Sequence, residues 1–331
     1  MCQATFTVVA EQDPSKDRAR FKEDIISGLE QKPKILPSKY FYDDTGSMLF
    51  DEITKLEEYY PTRVETSILR EHAGQIAQLA KGEPANIVEL GAGCNEKTWI
   101  ILEGMIESGC NVTYKPIDIN VGAMQAMKSA IDHRFGNRLV MSGIVADYIE
   151  GLAMIQREGD RHRNIVLFLG SNVGNMSDTE AQHFLLSLRT VMKQDDRLII
   201  GFDLQKDIDV LERAYNDARG VTAAFNLNLL GRINRELGAN FDTTKFRHQP
   251  FYDPALGAMV SRLVSTEDQD VEIPGFCRPF WFRRGEGIRT EMSRKFSVID
   301  IGLLAAKTRF KVEGEYSDPK SMFIDSVFRP K

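Results

Sequence analysis

Residues 86–98 read NIVELGAGCNEKT. An apolar, β-branched run ends in a glycine pair and passes into EKTWIILEGMIESG, a helix-forming stretch. A buried strand, a glycine turn and a helix start in that order form a cradle for a nucleotide. The same alternation recurs up to Leu204. NVTYKPIDI is followed by VGAMQAMKSAIDHRF, RLVMSGIVA by YIEGLAMIQRE, and NIVLFLG by DTEAQHFLLSLRTVMK, before RLIIGFDL closes the series. Five short strands separated by helices predict right-handed βαβ units and a doubly wound, Rossmann-like α/β sheet.

The rhythm breaks after Leu204. DIDVLERAYNDARGVTAAFNLNLLGRINREL reads as two helices hinged near Gly220. FRHQPFYD, AMVSRLVS, DVEIP, FWFRR and IRTEMSRKFS then read as consecutive strands. The N-terminal residues hold helices near Arg18–Gln31 and Gly46–Leu56 and also stand outside the βαβ pattern. We therefore expect two domains. A substrate-binding α+β domain would be built from residues 1–63 and 205–295. The nucleotide-binding sheet would hold 64–204 and 296–331, with the last segment returning as helix and antiparallel strand pair.

Composition narrows the partners. The 331 residues carry a net charge of −6 and no long basic stripe, which argues against nucleic acid. No apolar run approaches the roughly 18–20 residues a membrane span requires. The N-terminus lacks the basic-then-apolar order of a signal peptide. The four cysteines, Cys2, Cys94, Cys110 and Cys277, stand far apart, which fits neither a disulfide framework nor a zinc site. A cytoplasmic enzyme of a small molecule, without metal and working as a monomer, is expected.

The ligand follows from the strand ends. In such sheets it sits at the carboxyl ends, near the switch point in strand order. The turn holds Gly91 and Gly93, but Glu96 occupies the place where a dinucleotide fingerprint wants a third small residue. An acid there opposes a pyrophosphate. Glu89, two residues before Gly91, suits a cationic ligand end, as in the amino acid portion of S-adenosylmethionine (SAM). Asp118 ends the second strand, where a carboxylate accepts ribose hydroxyl protons. Asp147 and Tyr148 end the third, placed for an adenine amine and ring. Taken separately, Asp118 and Asp147 would also serve as helix caps. Together with the acid and glycine pair they favour SAM over NAD.

The fourth strand runs into LGSNVGNMS, without the Pro-Pro-aromatic run of enzymes that methylate nucleic-acid amines. Gly170 permits close backbone approach. Asn175 offers a donor and an acceptor to a carboxylate and amine, or else caps the next helix. Glu291 and Ser293, two apart in a predicted strand, share one face and present groups able to grip both nitrogens of an imidazole. A half-exposed polar strand face is the other reading.

LPSKYFYDDTGSMLFDEITKLEEYYPTR, VELGAGCNEKT, FLGSNVGN, RAYNDARGVTAAFN and TEMSRKF, spread over nearly the whole chain, closely resemble the SAM-dependent histidine Nα-methyltransferases of ergothioneine biosynthesis, which form hercynine. The resemblance implies that Tyr42 and Gly91 lie on the cofactor and that Lys97 pairs its carboxylate. Asp118 would hold the ribose, and Asp147 with Tyr148 the adenine. Asn175 and Tyr215 would hold the substrate carboxylate, while Tyr59, Gly170 and Thr222 line the amine and ring. Met259 would pack on the ring, and Glu291 with Ser293 bond the imidazole. Asn120 departs from the second acid often found there.

Methyl transfer needs a neutral amine, and none of the five histidines stands in a recognised motif. Tyr42, acting through water, is the candidate proton relay. The rival substrate is another aromatic amino acid such as tryptophan, whose indole has no second ring nitrogen for the Glu291–Ser293 pair. The rival class is an NAD-dependent oxidoreductase, against which Glu96 speaks.

Overall fold

A computed structural model describes residues 5–8, 14–91, 96–157, 159 and 162–331. The chain opens with β1 (Thr5–Val8) and α1 (Pro14–Glu30), then β2 (Lys34–Ile35), α2 (Asp44–Thr54) and α3 (Tyr60–Ala77). Alternation follows: β3 (Ala85–Leu90), α4 (Glu96–Glu107), β4 (Val112–Asp118), α5 (Val121–Phe135) and β5 (Val140–Val145). It continues with α6 (Tyr148–Arg157), β6 (Arg163–Phe168), α7 (Asp178–Val191) and β7 (Arg197–Asp203). Next come α8 (Ile208–Tyr215), α9 (Val221–Leu237), β8 (Phe246–Asp253), β9 (Ala258–Ser265), β10 (Gln269–Val271), β11 (Phe280–Phe282) and β12 (Gly287–Arg294). Helix α10 (Val298–Lys307), β13 (Phe310–Ser317) and β14 (Phe323–Pro330) close the chain.

These elements form two compact units. The first comprises residues 1–11, 63–204 and 296–331. Its sheet runs β1-β5-β4-β3-β6-β7-β14-β13, parallel from β1 to β7, with β14 antiparallel to both neighbours. Every residue of β3 and β7 is buried, as expected of strands covered on both faces. Ile87, Leu167 and Ile199 point into one apolar layer, and Val88, Val166 and Leu198 into the other. Strand order reverses between β3 and β6, so the switch point lies at the ends of these two strands. The sequence reading grouped residues 1–63 with the substrate domain. The structure instead pairs Thr5–Val8 in parallel with Ser142–Val145 at the sheet edge. Four residues are too few to show a period, so this strand left no signal in the sequence.

The second unit comprises residues 12–62 and 205–295. Its main sheet runs β2-β12-β9-β8, and β10 pairs with β11 separately. One apolar cluster joins α1, α2 and α9 to both of these sheets through Phe21, Ile25, Ile53, Phe225, Leu229, Leu263, Phe282 and Ile288. Pairing of β12 with β9 slips between Arg289 and Glu291. Such a bulge leaves Thr290 without a place in the ladder. Its hydroxyl donates to Asn226 Oδ1 on α9 at 2.7 Å.

The hinge near Gly220 is a cap made at a distance. Gly220 adopts φ 73° and has no side chain to cap α9. Asp217, on the preceding turn, accepts from Val221 N at 2.9 Å and Thr222 N at 2.8 Å. Burial alone would raise this carboxyl; the donors of Thr222 and Val221 outweigh it and hold it below the usual range. A depressed folded value means the stabilisation is present above the unfolded value and is lost as pH falls through the folded one. Asp217→Ala is expected to destabilise the chain by about 1–2 kcal/mol, as loss of a helix cap does. Urea denaturation at neutral pH measures it, and the gap to wild type should narrow on acidification.

Candidate active site

Apart from Tyr42, the residues chosen for the cofactor stand at or just past the carboxyl ends of β3, β4 and β5. Gly91, just past β3, has φ 83°, and a Cβ placed there would stand 2.8 Å from the Tyr148 hydroxyl. Only glycine leaves that space open. Gly93 lies outside the described residues. Asp118 closes β4 and accepts from Asn120 N at 2.7 Å through Oδ1. Asn120 itself caps α5 by accepting from Ala123 N at 3.1 Å. Asp147 accepts from Ile149 N at 3.0 Å and Glu150 N at 2.9 Å through Oδ1, so it is the cap of α6. One oxygen capping the helix fixes the direction of the other. Tyr148 packs edge-on against Phe168 and Phe184. Burial, reinforced by Asp118 and Glu89, pushes its hydroxyl up to about 12, so it stays a neutral donor.

Glu89 is turned inward rather than toward a ligand. It is buried, accepting from Thr98 Oγ1 at 2.5 Å and from the Tyr114 hydroxyl. Burial raises its carboxyl to about 7 against the pull of Thr98, Tyr114 and Lys97. Both oxygens serve protein hydroxyls, one bond on each, and each keeps a second lone pair.

Lys97 is also committed within the protein. Its ammonium lies 2.6 Å from Glu65 Oε2, and Glu65 Oε1 accepts from Gly170 N at 2.7 Å. Glu65 is fully buried. A lysine has three donors, so one bond to Glu65 is compatible with a ligand carboxylate on another. Gly170 has φ 80°, and Lys97 Nζ stands 3.4 Å from where its Cβ would be. Asp325 of β14 belongs to the same cluster. Burial and the nearby Glu65 hold its carboxyl well above the usual range, against Lys97.

The cap of α7 is not Asn175. Ser177 caps it, in a reciprocal capping box with Glu180. Asn175, at the end of a short 3₁₀ turn from Asn172, keeps an exposed side chain.

The second unit gathers three of the substrate candidates, Met259, Glu291 and Ser293, on one face of its sheet, while Gly170 and Asn175 belong to the first unit. Glu291 stands opposite Ser261 and Ser293 opposite Met259, so these four share a face. Ser261 Oγ lies 3.4 Å from Glu291 Oε2. Burial raises the Glu291 carboxyl, with Lys295 and Ser261 opposing. Ser293 is buried and accepts from the Tyr215 hydroxyl at 2.8 Å. Lys295, 1% exposed, donates to Tyr215 Oη at 2.9 Å and to Ser293 Oγ at 3.0 Å. Tyr59 meets Tyr215 edge-on at 6.4 Å, and Thr222 is buried at the start of α9. Tyr42 stands half exposed, its ring edge-on to Phe50 at 5.5 Å and Phe225 at 5.7 Å.

Three residues that the sequence reading passed over belong here. Lys295 continues the alternate spacing of Glu291 and Ser293, a signal that was present in TEMSRKF. Glu65 and Asp325 had none, since each acts on residues far away in the chain. His248, outside any recognised motif, lies on β8 with Nε2 buried and unbonded. Burial lowers it to about 4, with Asp217 pulling the other way, so it is neutral.

Comparison with known proteins follows the geometry. Residues 21–330 match the family described as histidine-specific methyltransferase, SAM-dependent. The histidine N-alpha-methyltransferase of Mycobacterium tuberculosis (strain CDC 1551 / Oshkosh) is 38% identical over 85% of this chain and 86% of its own. That of Mycolicibacterium smegmatis is 36% identical over 91% and 92%. Ergothioneine biosynthesis protein 1 of Schizosaccharomyces pombe is 31% identical over 85% of this chain and 37% of its own. The cofactor of this family suits the cradle, because Gly91 leaves backbone space beside Tyr148 that any Cβ would fill. The glycine cradle, the acids at successive strand ends and the match over residues 21–330 place the chain in the SAM-dependent, histidine-specific methyltransferase family.

Proposed function

We propose that the chain methylates the α-amine of L-histidine three times to give hercynine, the first step of ergothioneine biosynthesis. The observation that carries the substrate is the β12 face, where Glu291 and Ser293 lie side by side as acceptor and donor. An indole has one N–H and no bare nitrogen, so tryptophan would leave Ser293 unsatisfied, a costly outcome for a buried group. Family membership removes the oxidoreductase reading.

When bound, SAM supplies an electrophilic methyl on a positively charged sulfur. Gly91, Lys97, Asp118, Asp147, Tyr148 and Tyr42 are proposed to hold it, with Gly93 in the same turn. Asn175 and Tyr215 would take the substrate carboxylate, and Tyr59, Gly170 and Thr222 would border the amine. Met259 would support the ring that Glu291 and Ser293 bond. The chain's own contribution is then to position the amine, exclude water and accept a proton. Tyr42 is proposed to relay that proton through water, and the aromatic rings near it to favour the growing cationic nitrogen.

Incubation with SAM and each of the twenty amino acids should add the mass of three methyl groups to histidine alone. A gain on another amino acid and none on histidine overturns the substrate. Glu291→Gln should lower kcat/KM for histidine about 10- to 100-fold, the worth of a bond to a charged group, and chiefly through KM. Tyr42→Phe should lower kcat and displace the pH–rate profile; unchanged turnover removes the relay.

Glu89 adds a pH dependence. A cationic ligand nearby favours its ionised form, and its free-state value is about 7. Binding should therefore release a proton, and SAM affinity should weaken by up to tenfold per unit as pH falls below about 7. Titration calorimetry in buffers of different ionisation heat measures the release, and Glu89→Gln should abolish it.

A further inference from the structure

We propose that Lys295 is a positioning residue that fixes the direction of the Ser293 proton, so that the site accepts only a neutral ring with one N–H and one bare nitrogen. This rests on the histidine reading above.

The argument is a count of donors and acceptors. An ammonium only donates, so its bonds at 2.9 Å and 3.0 Å occupy an acceptor position on Tyr215 Oη and another on Ser293 Oγ. A phenol oxygen shares one lone pair with its ring and accepts one bond well. With Lys295 on it, Tyr215 Oη does not also take the Ser293 proton. The phenol, the stronger acid of the two hydroxyls, donates to Ser293 instead. If a substrate carboxylate later takes the phenol proton, Lys295 still occupies the phenol oxygen. In either case the Ser293 O–H is turned away from the triad and must find its acceptor elsewhere.

Glu291 stands two residues before Ser293 on the same strand face. Burial raises its carboxyl, while Lys295 and Ser261 pull toward the ionised form, which only accepts. Donor and acceptor side by side match a ring nitrogen without a proton and one with a proton. An imidazolium has no bare nitrogen, and the Lys295 charge opposes it as well. Other titratable groups by this face in the second unit include Tyr59, Tyr215, Tyr252, Asp217 and His248. Asp217 is committed to the α9 amides, and His248 is neutral.

Two measurements test this. First, ¹⁵N-labelled L-histidine bound with S-adenosylhomocysteine is observed by NMR near pH 6.5, where the free ring is about half protonated. One pyridine-type and one pyrrole-type resonance support the proposal; an imidazolium pattern overturns it. Second, Lys295→Met frees the Ser293 proton to turn back to Tyr215. The preference in kcat/KM for histidine over β-(pyrrol-2-yl)alanine, which has an N–H but no bare nitrogen, should then fall about tenfold or more, with S-adenosylhomocysteine affinity kept. An unchanged preference, including an equal loss on both substrates, overturns it. The NMR measurement uses wild-type chain and stands whether or not the variant folds. Absence of any histidine methylation by the wild type would instead remove the proposed function.

Discussion

A carboxylate with no access to water has to be met by donors, and Glu65 is such a group. Its two oxygens take the Lys97 ammonium and the Gly170 amide. Lys97 stands in the first turn of α4, the helix after β3, and Gly170 just past β6, the two strands that flank the switch point. One side chain on α3 thereby ties together the two segments proposed to hold a ligand. Burial and the same charge raise the Asp325 carboxyl well above the usual range, and Gly201 on β7 has no side chain because a Cβ there would strike Glu65. The demand of one buried charge thus accounts for the lysine at 97 and the glycine at 201.

The second unit answers a similar demand in the opposite sign. Lys295 is a buried cation held by two hydroxyls and by the field of Glu291. Buried ion groups of this kind seldom add stability over apolar replacements. Their effect is to fix the direction of hydrogen bonds, and the residues affected are those proposed to read the substrate ring.

Much of this was legible in the sequence, for a physical reason in each case. Strands β3 to β7 are buried on both faces, so they read as apolar runs and the sheet could be derived from rhythm alone. Asp118, Asp147 and Gly91 stand at or just past strand ends, which are fixed points in that rhythm. What spacing did not supply was orientation. Glu89 has the right position for a cationic ligand, yet Thr98 and Tyr114 claim both its oxygens. Asn175 and Ser177 are equally plausible helix caps in a string of letters, and only the backbone decides for Ser177. Glu65 and Asp325 escaped because the partners of a buried charge are set by packing, not by neighbours in the chain.

The bulge in β12 has a mechanical consequence. Thr290, without a place in the ladder, bonds Asn226 on α9 and so rivets the helix that carries Thr222 to the strand that carries Glu291. The proposed ring subsite and the proposed amine border then drift together under thermal motion. In a reaction repeated three times on one nitrogen, the substrate swells at one end only. A stiff common mount keeps the unchanging end registered while the growing end is accommodated elsewhere.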